Sequence, residues 1–316
     1  MATLSFQTTI SAVVQILLMG FCGYALVKFK KLDEPGLNLL TRLLILFFLP
    51  QFMFYHLTHS FRFETYPNWW LFPIIGFLLV MGGGLVSWGI LSVCPSIQHK
   101  REFMALTIFQ NSGYIPFLVV SAIFTGEVAQ RLYVYILLLL IGFNLSMWSL
   151  GVWLIARGKG KNFTMQNLFN PPLLAMVISL VIIALGIHQH IPPVVNGPLK
   201  MFSDCVLPMA MIVVGGNLAQ VKLEAVNKGE LLTVVLVKLI VCPLIALVAV
   251  LVLNLDFLMG FLVVLEAVVP SAVTLSIIAR YYTIEQKFIT QGIFFTHLVS
   301  LITMPAFLMW YVYLMR

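Results

Sequence analysis

Apolar residues along this chain come in blocks, and a helix crossing a bilayer needs about 20 of them in succession. A window of that length selects ten blocks, at 8–28, 37–58, 69–93, 101–124, 132–155, 170–188, 197–220, 230–253, 257–280 and 287–313. The polar connections between them are short and leave no room for a soluble catalytic domain. One block is interrupted from within. The stretch FQNSGYIPFLVV, Phe109 to Val120, sets Asn111, Ser112, Gly113 and Pro116 in the middle of the fourth block, all poor choices for a helix in lipid.

Composition turns the blocks into a class. With 61% of 316 residues hydrophobic, 9% charged and a mean hydropathy of +1.04, the ordinary soluble classes are excluded and the chain reads as an all-α integral membrane protein. The first block is too long for a signal-peptide core, and its basic residues follow it instead of preceding it, so it counts as a helix. The formal charge of +7 is dispersed, and its placement says more than its sum. The odd-numbered connections hold twelve basic residues: Lys28, Lys30, Lys31, Lys100, Arg101, Arg157, Lys159, Lys161, Lys222, Lys228, Arg280 and Lys287. The even-numbered connections and the two ends hold four: Arg62, Arg131, Lys200 and Arg316. The positive-inside rule then puts the odd connections in the cytoplasm and both termini outside, in a plasma (inner) membrane. The surplus charge is a topology signal with some attraction for anionic lipids, and nothing points to nucleic acid. Cys22, Cys94, Cys205 and Cys242 lie in or beside the blocks without metal or redox spacing, as small packing residues do.

The basic loop ARGKGKNF, Ala156 to Phe163, separates five blocks from five. FFLPQFMF (Phe47 to Phe54) aligns with CVLPMAMI (Cys205 to Ile212), pairing Pro50 with Pro208. REFMALTIFQNSGYIPFLV (Arg101 to Val119) aligns with LDFLMGFLVVLEAVVPSAV (Leu255 to Val273), pairing Pro116 with Pro270. Five is odd, so a second copy enters the membrane inverted. The expected architecture is ten transmembrane helices in two inverted five-helix repeats, 1–158 and 170–316, joined by a cytoplasmic loop at 159–169, with broken crossover helices in the fourth and ninth spans. A break at lipid depth is tolerated where the freed backbone faces a ligand or a water-filled cavity, and two half-helix N-termini there favour an anion.

Four motifs together resemble the auxin efflux carrier family along essentially the whole chain: NSGYIP in the fourth block, LPMAMIVVGGNLA in the seventh, VKLIVCPLIALV in the eighth and AVVPSAVTLSIIARYY in the ninth. The resemblance implies inverted repeats with crossovers in the fourth and ninth spans, a fold related to that of the bile-acid sodium symporters, and transport of small organic anions. The family's bacterial branch includes malonate and malate permease homologues, and its plant branch includes auxin exporters. The resemblance puts Asn111 and Pro116 at the first crossover, and Pro270 and Ser271 at the second. There are two departures. The long cytoplasmic loop of many plant auxin exporters is missing, and Glu266 stands four residues before Pro270, where a carboxylate opposes simple anion binding and suits a coupling group.

The expected substrate site is therefore Asn111, Ser112, Gly113, Pro116, Pro270 and Ser271. Asn111 either meets substrate through an amide that donates and accepts, or makes an interhelical hydrogen bond. Glu266, Asp204, Lys238 and His297 are the candidates for proton or ion coupling, because ionisable groups at hydrocarbon depth are costly and mark function by default. Glu266 would share a face with Pro270 and Thr274 on a continuous helix, as a proton carrier or as a static link between helices. Asp204 could pair with Lys238, in a bridge that breaks during transport or one that stays. His297 relays protons or packs as a hydrogen bonder. Gly82 to Gly84 and the pair Gly215, Gly216 permit close helix packing, and no strand or Lys-Ser/Thr follows to make a nucleotide loop. The reading is a secondary active transporter moving a small organic anion, a carboxylate, by alternating access. Its partners would be a proton or sodium ion, membrane lipids and a second copy of the chain; no cofactor or metal is expected. Neither HExxH nor GxSxG occurs, which argues against an enzyme. A ligand-binding receptor or sensor that keeps a transporter fold is the rival reading.

Overall fold

The computed structural model describes residues 6–156, 170–221, 226–281 and 286–315. The connecting loop expected at 159–169, like Arg157 and Lys222, lies outside the described residues. Helix occupies each of the ten apolar blocks. The first holds α1 (Phe6–Lys28); the second holds α2 (Glu34–Leu43), a wider π-helical turn Leu44–Phe48 and α3 (Leu49–Ser60); the third holds α4 (Leu71–Val93). The fourth is split into α5 (Lys100–Ile108) and α6 (Ile115–Ile123). The fifth runs from α7 (Gly126–Ser146) through a π-helical turn, Met147–Gly151, to α8 (Val152–Ala156).

After the loop come α9 (Pro171–Ala184), then α10 (Pro193–Asp204) and α11 (Val206–Ala219), which meet at Cys205. The eighth block is α12 (Lys228–Leu236), a π-helical turn Val237–Val241 and α13 (Cys242–Val252). The ninth is split into α14 (Phe257–Val268) and α15 (Thr274–Tyr281), and the tenth is α16 (Gln286–Leu314). Among the described residues, six helical segments are long and apolar enough to cross a membrane: Glu34–Ser60, Leu71–Val93, Gly126–Ile155, Pro193–Ala219, Lys228–Val252 and Lys287–Leu314. Val14–Lys28, Pro171–Ala184 and Phe257–Val268 are shorter apolar helices.

Local chemistry explains where the helices begin and bend. Asp33, Asn170, Asn227 and Asp256 cap α2, α9, α12 and α14 by accepting backbone N–H groups in the first turn. Pro50 and Pro243 each follow a π-helical turn closely. A proline removes the N–H that would pair one turn back, and the wider turn absorbs the mismatch.

Polarity is arranged for lipid. Leu85, Trp88 and Ile302 are exposed to 70%, 68% and 76%, while Gln110, Asn111, Ser112, Lys238, Glu266, Ser271 and His297 are buried. In water such an exterior would cost about 25 cal/mol per Å² of apolar surface. In hydrocarbon that cost disappears, and helices associate through close packing and internal polar contacts. Glycines supply the packing: a Cβ on Gly215 would strike the carbonyl of Gly20, and one on Gly23 the carbonyl of Ile212, so α1 and α11 touch backbone to backbone. Gly76 against Leu139 and Gly142 against Pro73 do the same for α4 and α7. Two sets of helices result. One gathers α1–α3 with α9–α11, and the other gathers α4, α5, α7 and α12–α16; α6 and α16 meet α1, and α7 meets α3 and α9, across the boundary.

Candidate functional site

The two broken blocks cross. Pro116 opens α6 without an N–H to offer, and α5 ends at Phe109, which turns extended at φ −96, ψ 112. Val269 is extended at φ −69, ψ 147, because the residue before a proline is driven out of the helical region and Pro270 follows it. The freed segments lie antiparallel, bridged at Gln110 and Ser271. Asn111 N–H donates to the carbonyl of Pro270 at 2.8 Å, and Ala272 N–H donates to that of Phe109 at 2.9 Å. Exchanging the two segments about the bridge interchanges these bonds. The Ser271 hydroxyl donates to the Leu106 carbonyl at 2.6 Å, tying the second break to the last turn of α5. Backbone groups that lipid could not satisfy thus satisfy one another.

Side chains extend the crossing in two directions. The Ser112 hydroxyl donates to Glu266 Oε2 at 2.5 Å; Glu266 is wholly buried, and among the described residues its Oε1 makes no hydrogen bond of standard geometry. On the other side Asn111 Nδ2 lies 3.3 Å from His297 Nε2, and His297 Nδ1 lies 2.8 Å from the carbonyl of Ile293. A carbonyl only accepts, so Nδ1 carries the proton and Nε2 is left to accept from the Asn111 amide.

Two cavities flank the crossing. The first, about 80 Å³, lies between the two helix sets; Asn111, Ser112, Gly113, Asn144, Asn170 and Thr274 line it, with Trp148 and apolar residues of the second and fifth blocks. Helix α6 begins here with no side-chain cap, and Thr274 begins α15 at the same cavity. Asn170 caps α9 through Oδ1, 2.9 Å from the N–H of Leu173, and among the described residues its buried Nδ2 has no partner. The second cavity, about 150 Å³, lies behind the crossing, where Thr107, Gln110, Lys238, Cys242 and Glu266 face Gly82 and Gly83. Gln110 lines both.

The family described as membrane transport protein matches residues 8–167 and 160–308. The chain belongs to this family, the auxin efflux carrier-like transporters. It is 25% identical to an uncharacterized transporter of Methanothermobacter thermautotrophicus, over 95% of this chain and 97% of that protein. It is 20% identical to the protein PIN-LIKES 5 of Arabidopsis thaliana, over 93% and 94% of the two chains. An uncharacterized transporter of Methanocaldococcus jannaschii is also 20% identical, over 92% and 94%. The protein is therefore a multi-pass integral membrane transporter.

Within this transporter the expected site residues separate. Asn111, Ser112 and Gly113 line the crossover cavity, whereas Pro116, Pro270 and Ser271 are buried outside its lining and shape the crossing. Pro116 stands in the first turn of a helix and Pro270 in an extended break, so the aligned prolines are not counterparts. Glu266, Pro270 and Thr274 do not share a helical face, because α14 ends at Val268. The expected pair of Asp204 with Lys238 does not form: Asp204 is exposed and binds Lys200 at 2.6 Å, one turn away, while Lys238 shares a cavity with Glu266. His297 meets Asn111. Gln110, Asn144 and Asn170 were not singled out by sequence, and Thr274 was named there only as a face-mate of Glu266. Asn170 carried a signal, since Asn before Pro-Pro at a block's start is an N-cap; a lone Asn144 within the fifth block carried only its polarity.

Proposed function

We propose that this protein is a secondary active transporter of a small organic anion, a carboxylate, bound in the crossover cavity. One observation carries the reading: two helix N-termini and the amides of Asn111, Asn144 and Asn170 converge on a single cavity, where among the described residues no carboxylate lines the wall and one buried amide N–H₂ has no partner. Helix N-termini hold anions through free N–H groups and the helix dipole. Neutral donors offer hydrogen bonds without fixing a full charge opposite the ligand, so a bound anion can also leave.

The cavity is small and lies between the helix sets, which suits alternating access: the set carrying the crossover moves against α1–α3 and α9–α11, opening the site to one side and then the other. In this reading the chain forms ten spans as two inverted repeats. A shift equal to the separation of Gln110 and Ser271 carries α1 onto α9, α2–α3 onto α10–α11, α4 onto α12–α13 and α7–α8 onto α16, which supports the repeat better than the proline alignment does. Both termini are then extracytoplasmic. In support, His99 of the third connection binds Glu230 at 2.9 Å, and its ring stacks on Phe288 at 4.7 Å, so the connections opening the fourth, eighth and tenth blocks gather at one end.

Thermal unfolding of the purified full chain in detergent, with indole-3-acetate, malonate or malate against chloride, tests the reading. A ligand at a hundred times its Kd adds about 2.7 kcal/mol to stability. A carboxylate should raise the Tm of the native chain, and Asn111→Ala should abolish the rise. Absence of any carboxylate effect, or an effect that Asn111→Ala leaves unchanged, overturns the assignment.

A further inference from the structure

The cavity behind the crossing stands apart from the crossover cavity. Its lining comes from α4, α5, the π-helical turn Val237–Val241, α13, α14 and the crossing segment itself, all on one side of the boundary between helix sets, so it travels with that set. Two side chains of opposite charge face it without touching. Glu266 keeps Oε2 on Ser112, and among the described residues its wholly buried Oε1 makes no hydrogen bond of standard geometry, with the Gln110 amide as its polar neighbour. Lys238 is buried on the π-helical turn Val237–Val241, and among the described residues its ammonium makes no hydrogen bond or ion pair. A buried charge is costly unless it is paired or hydrogen-bonded. The space is polar enough, with the Thr107 hydroxyl and the Gln110 amide in its wall, and roomy enough for water to complete both shells.

We infer that this cavity is an internal proton site, in which Glu266 Oε1 takes up and releases one proton opposite the Lys238 amine. The inference rests on the transport function proposed above and names its coupling ion. A metal cation fits the cavity poorly, since it would find one carboxylate and sit against an ammonium. A proton needs neither more ligands nor more room. The step balances simply: a hydronium in the cavity gives its proton to Oε1, leaving water and a neutral carboxyl. The charged and titratable groups facing Glu266 are Lys238 on the π-helical turn and Cys242 at the start of α13; the crossing contributes the neutral Ser112 and Gln110, and His297 on α16 is engaged by Asn111 and Ile293 instead.

Coupling follows from what lies between the cavities. Ser112 touches Glu266 and lines the crossover cavity, and Gln110 lines both cavities, so only the crossing segment separates the carboxyl from a bound anion. An ionised Glu266 repels an anion there and a neutral one does not. By linkage, proton and anion each favour the other's binding, so they move together.

Infrared difference spectroscopy of the full chain in phosphatidylcholine vesicles, between acidic and alkaline buffer and without any carboxylate, tests the site. A carboxyl C=O band should appear in acid, be missing in Glu266→Gln, and move its titration midpoint in Lys238→Met. A band that survives Glu266→Gln overturns the site; if that variant does not fold, a midpoint unmoved in both Lys238→Met and Ser112→Ala overturns it. An inward gradient of malonate, malate or indole-3-acetate should also acidify proteoliposomes of the native chain, and that uptake should be lost in Glu266→Gln. Carboxylate flux without acidification refutes the coupling and leaves the transport function standing. Loss of the band in Glu266→Gln with no carboxylate effect on Tm refutes the carboxylate site and leaves the proton site.

Discussion

At the scale of single residues, the break in the fourth block works because small and amide side chains there have specific partners. Asn111 is held at its N–H by the Pro270 carbonyl and at its amide by His297, so it faces the crossover cavity in a set orientation. Gly113 contributes by lacking a side chain. A Cβ at that position would meet open space and its φ is not positive, so the room it leaves belongs to the cavity and not to a backbone need. Gly113→Ala should fold with a stability within about 0.5 kcal/mol of the native chain, while the carboxylate-dependent rise in Tm shrinks, and Gly113→Val should remove it. Melting curves with and without malonate separate the two effects; a destabilised Gly113→Ala with an undiminished ligand shift would contradict this account.

At the scale of elements, the π-helical turns and the glycine contacts carry the functional geometry. All three π-helical turns among the described residues border a cavity: Ile45 and Trp148 reach the crossover cavity from the turns in the second and fifth blocks, and Lys238 enters the internal cavity from the third. Such a turn rotates the residues beyond it relative to a regular helix and frees carbonyls to do so. The glycines set helix separation. Gly215→Leu would drive a side chain into the backbone of α1 at Gly20, and overpacking of this kind costs about 1–3 kcal/mol or more. Its melting temperature should fall well below that of Gly89→Ala, where a Cβ meets nothing within 4 Å. Equal melting temperatures would show that α1 and α11 are not locked by this contact.

For the whole molecule, two tightly packed helix sets meet across a boundary that contains the crossover cavity, and the internal cavity lies within one set. The alternating access proposed above requires such a division. Orientation in the membrane is open to direct measurement. In a chain freed of its four native cysteines, Lys100→Cys in the third connection should react with a membrane-impermeant maleimide only from the cytoplasmic face, and Asn68→Cys in the second connection only from outside. The reverse pattern would place both termini in the cytoplasm and undo the topology drawn from the basic residues.

The apolar blocks, the helices that fill them and the break after Ile108 were legible in the sequence, because hydrophobic length, proline and the residue before it act locally. Partners were not. The proline alignment joined Pro116 to Pro270, whereas the crossing pairs Gln110 with Ser271. Charge counting suggested Asp204 for Lys238, whereas Asp204 binds Lys200 outside and Lys238 faces Glu266 inside. Asn144 and Asn170 join Asn111 only when helices distant in sequence pack together. In a membrane protein the lipid and the protein interior are both apolar, so hydropathy marks where a helix runs but hardly which face turns inward; that face is chosen by close packing and by polar groups finding one another in three dimensions.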